Sequence, residues 1–155
     1  MSKPAPTDQL WFLDSLVTIR VPASAGQDGL SVLEHRMPHG SSAPLHFHRT
    51  EDELLQILEG EYRVKVRDQE QRVGVGAILL IPKGTPHTYR VESAQGRLLS
   101  ITVGGEFERF VCALSRPAER PEPPPPAGQP SDDVIQEFKG TAAKFGIEII
   151  GPPLR

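Results

Sequence analysis

The chain has 155 residues, with 20 acidic and 17 basic side chains, giving a net charge of −3 when its histidines are neutral. That length suits one domain with a single core, and the slight acidity leaves no basic surplus to neutralise a phosphate backbone, so a nucleic-acid partner is not expected. The one cysteine, Cys112, excludes an intrachain disulfide and a cysteine-built cluster, so any metal site must come from histidine and carboxylate.

Residues 1–10 begin polar and proline-bearing and predict a flexible N-terminus. They lack the apolar core of a signal peptide, and no apolar run reaches the length of a membrane span, so a cytoplasmic protein without a membrane partner is expected. Residues 11–114 carry most of the pattern. Trp11 to Val21 is rich in aromatic and β-branched residues and reads as a strand, and Ala23 to Gly29 breaks it. Leu30 to Met37 is a second strand, ended by Pro38 and Gly40. His39 falls in that turn and reads as solvated, whereas His35 could face either a cavity or packed core.

The stretch Gly40-Ser-Ser-Ala-Pro-Leu-His46-Phe-His48-Arg-Thr-Glu-Asp-Glu53 follows. In an extended strand, residues two apart point the same way, so His46 and His48 present two imidazoles to one space. Glu53 stands at an odd interval and needs the polar turn Arg49 to Asp52 before it can face the same way. Leu54 to Leu58 is then an apolar run, with Leu55 and Ile57 on the inward side, closed by Glu59-Gly60.

Tyr62 to Val66 alternates apolar and charged residues, Arg67 to Glu70 reads as a turn, and Arg72 to Val75 continues as strand. The unbroken apolar run Ala77 to Ile81 predicts a strand buried on both faces. Pro82-Lys-Gly84 turns the chain toward His87, and Tyr89 shares the His87 side. Arg97 to Val103 is the last strand before Gly104-Gly105. This many short strands predict an all-β sandwich or jelly roll.

From Glu106 the period becomes helical, with Phe107, Phe110, Val111 and Leu114 on one stripe and Cys112 beside it as unreactive packing. Residues 115–130 are rich in proline and predict an extended strap that cannot enter a sheet interior. Residues 131–155 begin with Ser131 as N-cap to a helix whose stripe is Val134, Ile135, Phe138, Ala142 and Phe145, ended by Gly146. The tail from Ile147 is too apolar to be left in water, and with Trp11-Phe12-Leu13 it predicts a homodimer that covers both.

His46, His48, Glu53 and His87 together offer three neutral nitrogens and one carboxylate, leaving a divalent ion at a net charge of about +1. Iron, manganese, nickel, copper, cobalt and zinc all tolerate such a set.

These residues also carry a family resemblance. The first stretch, from Gly40 through His46, His48 and Glu53 to Gly60, resembles the first conserved motif of the cupins. The second, Gly76, Pro82, Gly84 and His87, resembles their second motif, departing only at Val91, where the family pattern has asparagine. The resemblance implies a double-stranded β-helix, or jelly-roll β-barrel, here with a C-terminal helical appendage. The opening Trp11-Phe12-Leu13 and the tail Gly146-Ile-Glu-Ile-Ile-Gly-Pro-Pro are similar to small single-domain quercetin-dioxygenase-like cupins. That similarity implies oxygen-dependent cleavage of a flavonol-like or enolic substrate. Glu53 would take the substrate proton, and Tyr89, Leu55 and Ile57 would line an apolar pocket for its ring. Redox-neutral isomerase or lyase chemistry on a small acid or sugar, or ligand binding without turnover, are the alternatives; the former would want inward Arg or Lys side chains.

Overall fold

The structure, a computed structural model, describes residues 8–155. The stretch expected to be flexible, residues 1–10, lies largely outside them, but Gln9 and Leu10 already belong to a strand. Where one strand was expected over Trp11 to Val21 there is a hairpin. Strands β1 (Gln9–Phe12) and β2 (Ser15–Val21) are joined by the two-residue turn Leu13-Asp14, with Phe12 paired to Ser15. Strands β3 (Leu30–Pro38), β4 (Leu45–His48), β5 (Glu53–Glu59), β6 (Tyr62–Val66), β7 (Gln69–Val73), β8 (Ile78–Ile81), β9 (His87–Val91) and β10 (Gln95–Val103) follow. Helix α1 (Glu106–Leu114), the short β11 (Arg116–Pro117), helix α2 (Asp132–Lys144) and β12 (Ile147–Gly151) complete the chain.

The strands form two antiparallel sheets, a seven-stranded one ordered β11-β1-β2-β3-β10-β5-β8 and a five-stranded one ordered β12-β4-β9-β6-β7. This is the all-β double-stranded β-helix with a small helical appendage. The inward faces follow the strand period: Ser31, Leu33, His35 and Met37 of β3 are buried while Val32, Glu34 and Arg36 are less so. One end of the gap between the sheets is filled by Met37, Leu55, Ile57, Tyr62, Val64, Ile81, Val91 and Leu98. The other is filled by Phe12, Val17, Leu33, Phe110, Val111, Ala142 and Ile147. Gly60 closes the β5–β6 turn at φ +87°, where a Cβ would lie 2.4 Å from the Gln95 carbonyl oxygen, so no other residue fits.

Several expectations are corrected. The run Ala77 to Ile81 is not buried on both faces: β8 is an edge strand bonded only to β5, and Ile78 and Leu80 are 59% and 62% exposed. The turn after β6 is tighter than expected, with Arg67 at φ +55° and β7 starting at Gln69. Val134 turns out to solvent at 53% exposure, so α2 docks through Phe138, Ala142 and Phe145, with Ile135 half-buried. Cys112 is exposed rather than packed, although partial burial and Glu108 push its thiol pKa up and keep it unreactive. The apolar tail is a strand, β12, laid against β4.

Trp11 and Phe12 are covered within the chain, which removes the reason for assigning them to a partner. The Trp11 indole N–H donates to the Glu122 carbonyl at 2.8 Å, and the Arg116 and Arg120 guanidiniums lie 5.0 and 5.5 Å from its ring centre. Phe12 meets Phe110 edge to face at 5.7 Å. Residues 116–117 pair with β1 at the sheet edge, where a proline costs no ladder bond, and the chain beyond them lies over Trp11. No helix among the described residues is long and apolar enough to cross a membrane.

Phe110 joins the barrel to both helices, lying 5.6 Å from Phe138 and 6.3 Å from Phe145, and it is 4% exposed. Phe110→Ala is expected to destabilise the protein by about 3–5 kcal/mol, read as a shift in denaturation midpoint at unchanged slope. A loss below about 1 kcal/mol would mean that the helices are not docked as described.

Candidate metal centre and cavity

Strand β4 sets His46 and His48 on one side, and pairing of β4 with β9 brings His46 directly opposite His87. The His46 ring centre is 5.2 Å from that of His48 and 4.2 Å from that of His87. One ligand nitrogen from each of the three histidines lies within 4.8 Å of the others. Glu53 arrives from the other sheet at the first position of β5, its carboxylate oxygens 3.6 Å from His48 Nε2 and 3.4 Å from His87 Nε2. All four expected ligands therefore meet between the sheets.

The turn over Arg49 to Asp52 that redirects Glu53 is held at several points. The Arg49 amide donates to the Gly146 carbonyl at 2.7 Å, the Gly84 amide to the His48 carbonyl at 2.7 Å, and the Lys83 amide to Asp52 Oδ1 at 2.8 Å. Buried Glu51 accepts from the amides of Glu106 at 3.2 Å and Phe107 at 2.8 Å. Its carboxylate thus supplies the cap that Gly105 cannot give α1.

The ring orientations suit a cation. His46 Nδ1 lies 2.7 Å from the Pro44 carbonyl and His87 Nδ1 lies 2.9 Å from the Thr85 carbonyl. A carbonyl can only accept, so both Nδ1 atoms carry the proton and both Nε2 atoms turn a lone pair to the site. His48 Nε2 and His87 Nε2 are buried without a hydrogen-bond partner among the described residues, a state that a metal ion would relieve. The donor set fits a divalent ion and supports one as cofactor.

Charge follows the same logic. Burial alone would raise the pKa of Glu53, but His48 first, then His87 and His46, bring it down to about 2, so it is ionised. At Glu53 the imidazoles therefore outweigh burial. Burial, with the neighbouring imidazoles, lowers His46 to about 3, and burial lowers His48 as well. Burial would lower His87 too, but its contact with Glu53 raises it.

A cavity of about 70 Å³ opens beside the cluster, bounded by His46 and Glu53 at its floor. Tyr89 and Leu55 line it as expected, whereas Ile57 does not, being packed into the core with Tyr62 and Leu98. His35, for which cavity and core were both open, lines the cavity and faces Ser100 in its wall. The other lining residues were not picked out as such from the sequence: Phe107, Phe110 and Phe138 roof it from the helices, and Ile147 and Ile149 of β12 close one side. The helical stripes in the sequence signalled that those phenylalanines dock, but not that they cover a site. His39 is exposed and bonds the Glu92 and Ser93 carbonyls.

Buried neutral histidines predict a pH dependence for metal-free protein. Burial holds His35 down at about 4 and His46 at about 3, against 6.5 when unfolded. The unfolded chain therefore binds more protons than the folded one below that value, and stability rises with pH across the window. Melting temperature of chelator-treated protein should fall steadily as pH drops from about 6.5 toward 4, while His87, raised by Glu53, acts in the opposite sense only above about 6.5. A profile flat over that range would contradict the buried, neutral assignment.

Comparison with known proteins agrees with this geometry. Residues 33–104 match the model of the Cupin domain family. Over 104 residues, 67% of the chain, it is 32% identical to quercetin 2,3-dioxygenase of Bacillus subtilis (strain 168), although it spans only 30% of that protein's length. In fold it is similar to the polyketide cyclase RemF from Streptomyces resistomycificus, with a TM-score of 0.55 and 22% identity over 66% of this chain and 79% of that one. It is likewise similar to KdgF from Halomonas sp., with a TM-score of 0.53 and 14% identity over 58% and 78%. With strand order, both motifs and the ligand cluster in agreement, residues 33–104 of the chain form a cupin domain.

Proposed function

We propose that this protein is a metal-dependent dioxygenase acting on a neutral, ring-bearing enolic or flavonol-like molecule, with His46, His48, Glu53 and His87 as metal ligands and Glu53 as general base. One observation carries the reading: among the described residues no Lys or Arg lines the cavity, whereas Phe12, Phe107, Phe110 and Phe138 do. A carboxylate or phosphate substrate, such as an isomerase or lyase of small acids would bind, finds no guanidinium or ammonium to receive it. An aromatic or enolic ring finds apolar walls. The likeness to quercetin 2,3-dioxygenase supports the same class. The cavity's 70 Å³ is small beside the roughly 300 Å³ at which pockets for drug-sized ligands begin. It suits a single ring, and a three-ring flavonol needs the cavity to widen.

A divalent ion bound by the four ligands would supply Lewis acidity and, if redox-active, electron exchange with dioxygen. The chain's own residues do the rest. Imidazoles whose lone pairs the ion would take could not accept a substrate proton, so the ionised Glu53 carboxylate would be the base for a substrate hydroxyl placed beside it. Burial pushes the Tyr89 hydroxyl well above the usual tyrosine range, so it stays protonated and donates to a substrate oxygen. The phenylalanine roof keeps water from the reacting atoms.

Oxygen uptake by metal-loaded protein against a panel of flavonols and β-diketones tests the reaction. Glu53→Gln keeps a ligand oxygen but removes the base, and should retain metal while turnover falls by roughly a hundredfold or more. Full turnover in that variant would reduce Glu53 to a ligand, and oxygen uptake with none of the panel would favour redox-neutral chemistry or simple binding.

We also place the expected homodimer on a different surface. Ile78 and Leu80 of β8, with Leu30 and Val103 beside them on the seven-stranded sheet, are each between 45% and 62% exposed. The nearby rim pairs Arg20 with Glu34 at 2.9 Å and Arg97 with Glu34 at 3.2 Å, so it presents both signs of charge and nothing that repels a second copy. Light scattering should give a dimer mass, and Leu80→Asp a monomer; a wild-type monomer at micromolar concentration would refute the pairing.

A further inference from the structure

Beside the metal ligands, the cavity wall holds one more imidazole with no assigned task. His35 of β3 is 4% exposed, lines the cavity, and is stacked on Phe107 at 6.1 Å between ring centres. Phe107 in turn meets His48 edge to face at 5.4 Å, so its ring lies against both His35 and that ligand, while His35 lines the same cavity as His46 and Glu53. His35 Nε2 is 2.9 Å from Ser100 Oγ of β10, and Ser100 lines the same cavity. Among the described residues Nδ1 has no hydrogen-bond partner, and it is not sealed from accessible space. It is the ring's one free hydrogen-bonding atom.

Leu55, Leu98 and Phe107 form the wall around this pair, and a polar pair set in an apolar wall costs stability unless it meets a polar group there. Burial keeps the imidazole neutral at physiological pH. The Ser100 hydroxyl can either donate to Nε2 or accept from it, so Nδ1 can serve as donor or acceptor according to what it meets. No charge is involved, in keeping with a cavity that has no Arg or Lys among its lining residues.

We propose that His35, held by Ser100 and Phe107, is a second anchor for substrate: its Nδ1 hydrogen-bonds a hydroxyl or carbonyl at the end of the ring remote from the metal ligands. This rests on the reading of the cavity as a site for enolic rings. It names the substrate class more closely, as a ring with a metal-binding hydroxy-ketone edge and a second, uncharged polar group across from it.

Kojic acid and allomaltol test it, because both carry the hydroxy-ketone edge and they differ by a single hydroxyl at the far end. Their affinities for zinc-loaded protein can be read by calorimetry without turnover. Wild type should prefer kojic acid by about tenfold, the worth of one hydrogen bond. Asparagine places its amide near the Nδ1 position and glutamine near Nε2, so His35→Asn should keep most of that preference and His35→Gln should lose it, both with zinc content unchanged. A role confined to packing against Ser100 predicts the reverse order, seen as a higher melting temperature for His35→Gln than for His35→Asn and no change in preference for either. Preference surviving in His35→Gln, or absent in wild type that binds both compounds, would overturn the anchor and leave the enolic-ring reading standing. If neither compound binds while oxalate does, that reading falls and the anchor with it.

Discussion

A carboxylate buried among three imidazoles is stable only when something positive shares the space. Burial disfavours the Glu53 anion, and it equally disfavours protonated His46 and His48, so neither partner escapes the low dielectric by itself. In the protein alone, the compromise is an ionised Glu53 with His87 raised beside it. A divalent cation satisfies all four groups together and gives the two unpartnered Nε2 atoms their acceptor. The scaffold is arranged to hold this unstable collection in place, because the ligands come from two different sheets and would otherwise separate.

The ties between sheets show how that is done. Motif residues do more than ligate: Gly84 bonds the His48 carbonyl, and Asp52 bonds the Lys83 amide, so the two motif turns brace each other. Glu51 fastens the start of α1, which brings Phe107 onto His48 and His35. Strand β12 backs β4, pairing Ile147 with His48 and Ile149 with His46, and so stiffens the ligand strand from outside. The mouth is less settled. Leu13 is 56% exposed at φ +55°, a conformation that a leucine adopts only under strain of about 1–3 kcal/mol, and it is held there by the hairpin and by Asp14, which accepts from Ser41 at 2.8 Å.

The ligand set was legible in the sequence because its chemistry is local: a two-residue spacing on a strand, a polar turn and a glycine-marked second turn fix which residue types face one another. The jelly roll was legible for the same reason, with topology supplied by the family resemblance. What the sequence hid depends on which element lies over which. Ala77 to Ile81 reads as doubly buried, since periodicity cannot tell a covered sheet face from a bare one, and here nothing among the described residues covers Ile78 and Leu80. Trp11 and Phe12 read as surplus apolar surface because the strap and α1 that cover them lie about a hundred residues away. Ile57 has the alternation of Leu55 but sits one pair deeper, beyond the cavity. The roles of His35 and of β12 rest on neighbours distant in sequence, and no short pattern announces either.

The central claim is that His46, His48, Glu53 and His87 form one metal site. Elemental analysis of the purified protein, beside His46→Ala and His87→Ala prepared in the same way, tests it most directly. The account predicts about one divalent transition ion per chain in the wild type and a loss of most of it in each variant, with secondary structure retained. Wild-type protein that takes up no ion even after incubation with each of the candidate metals, or variants that hold as much as wild type, would contradict it.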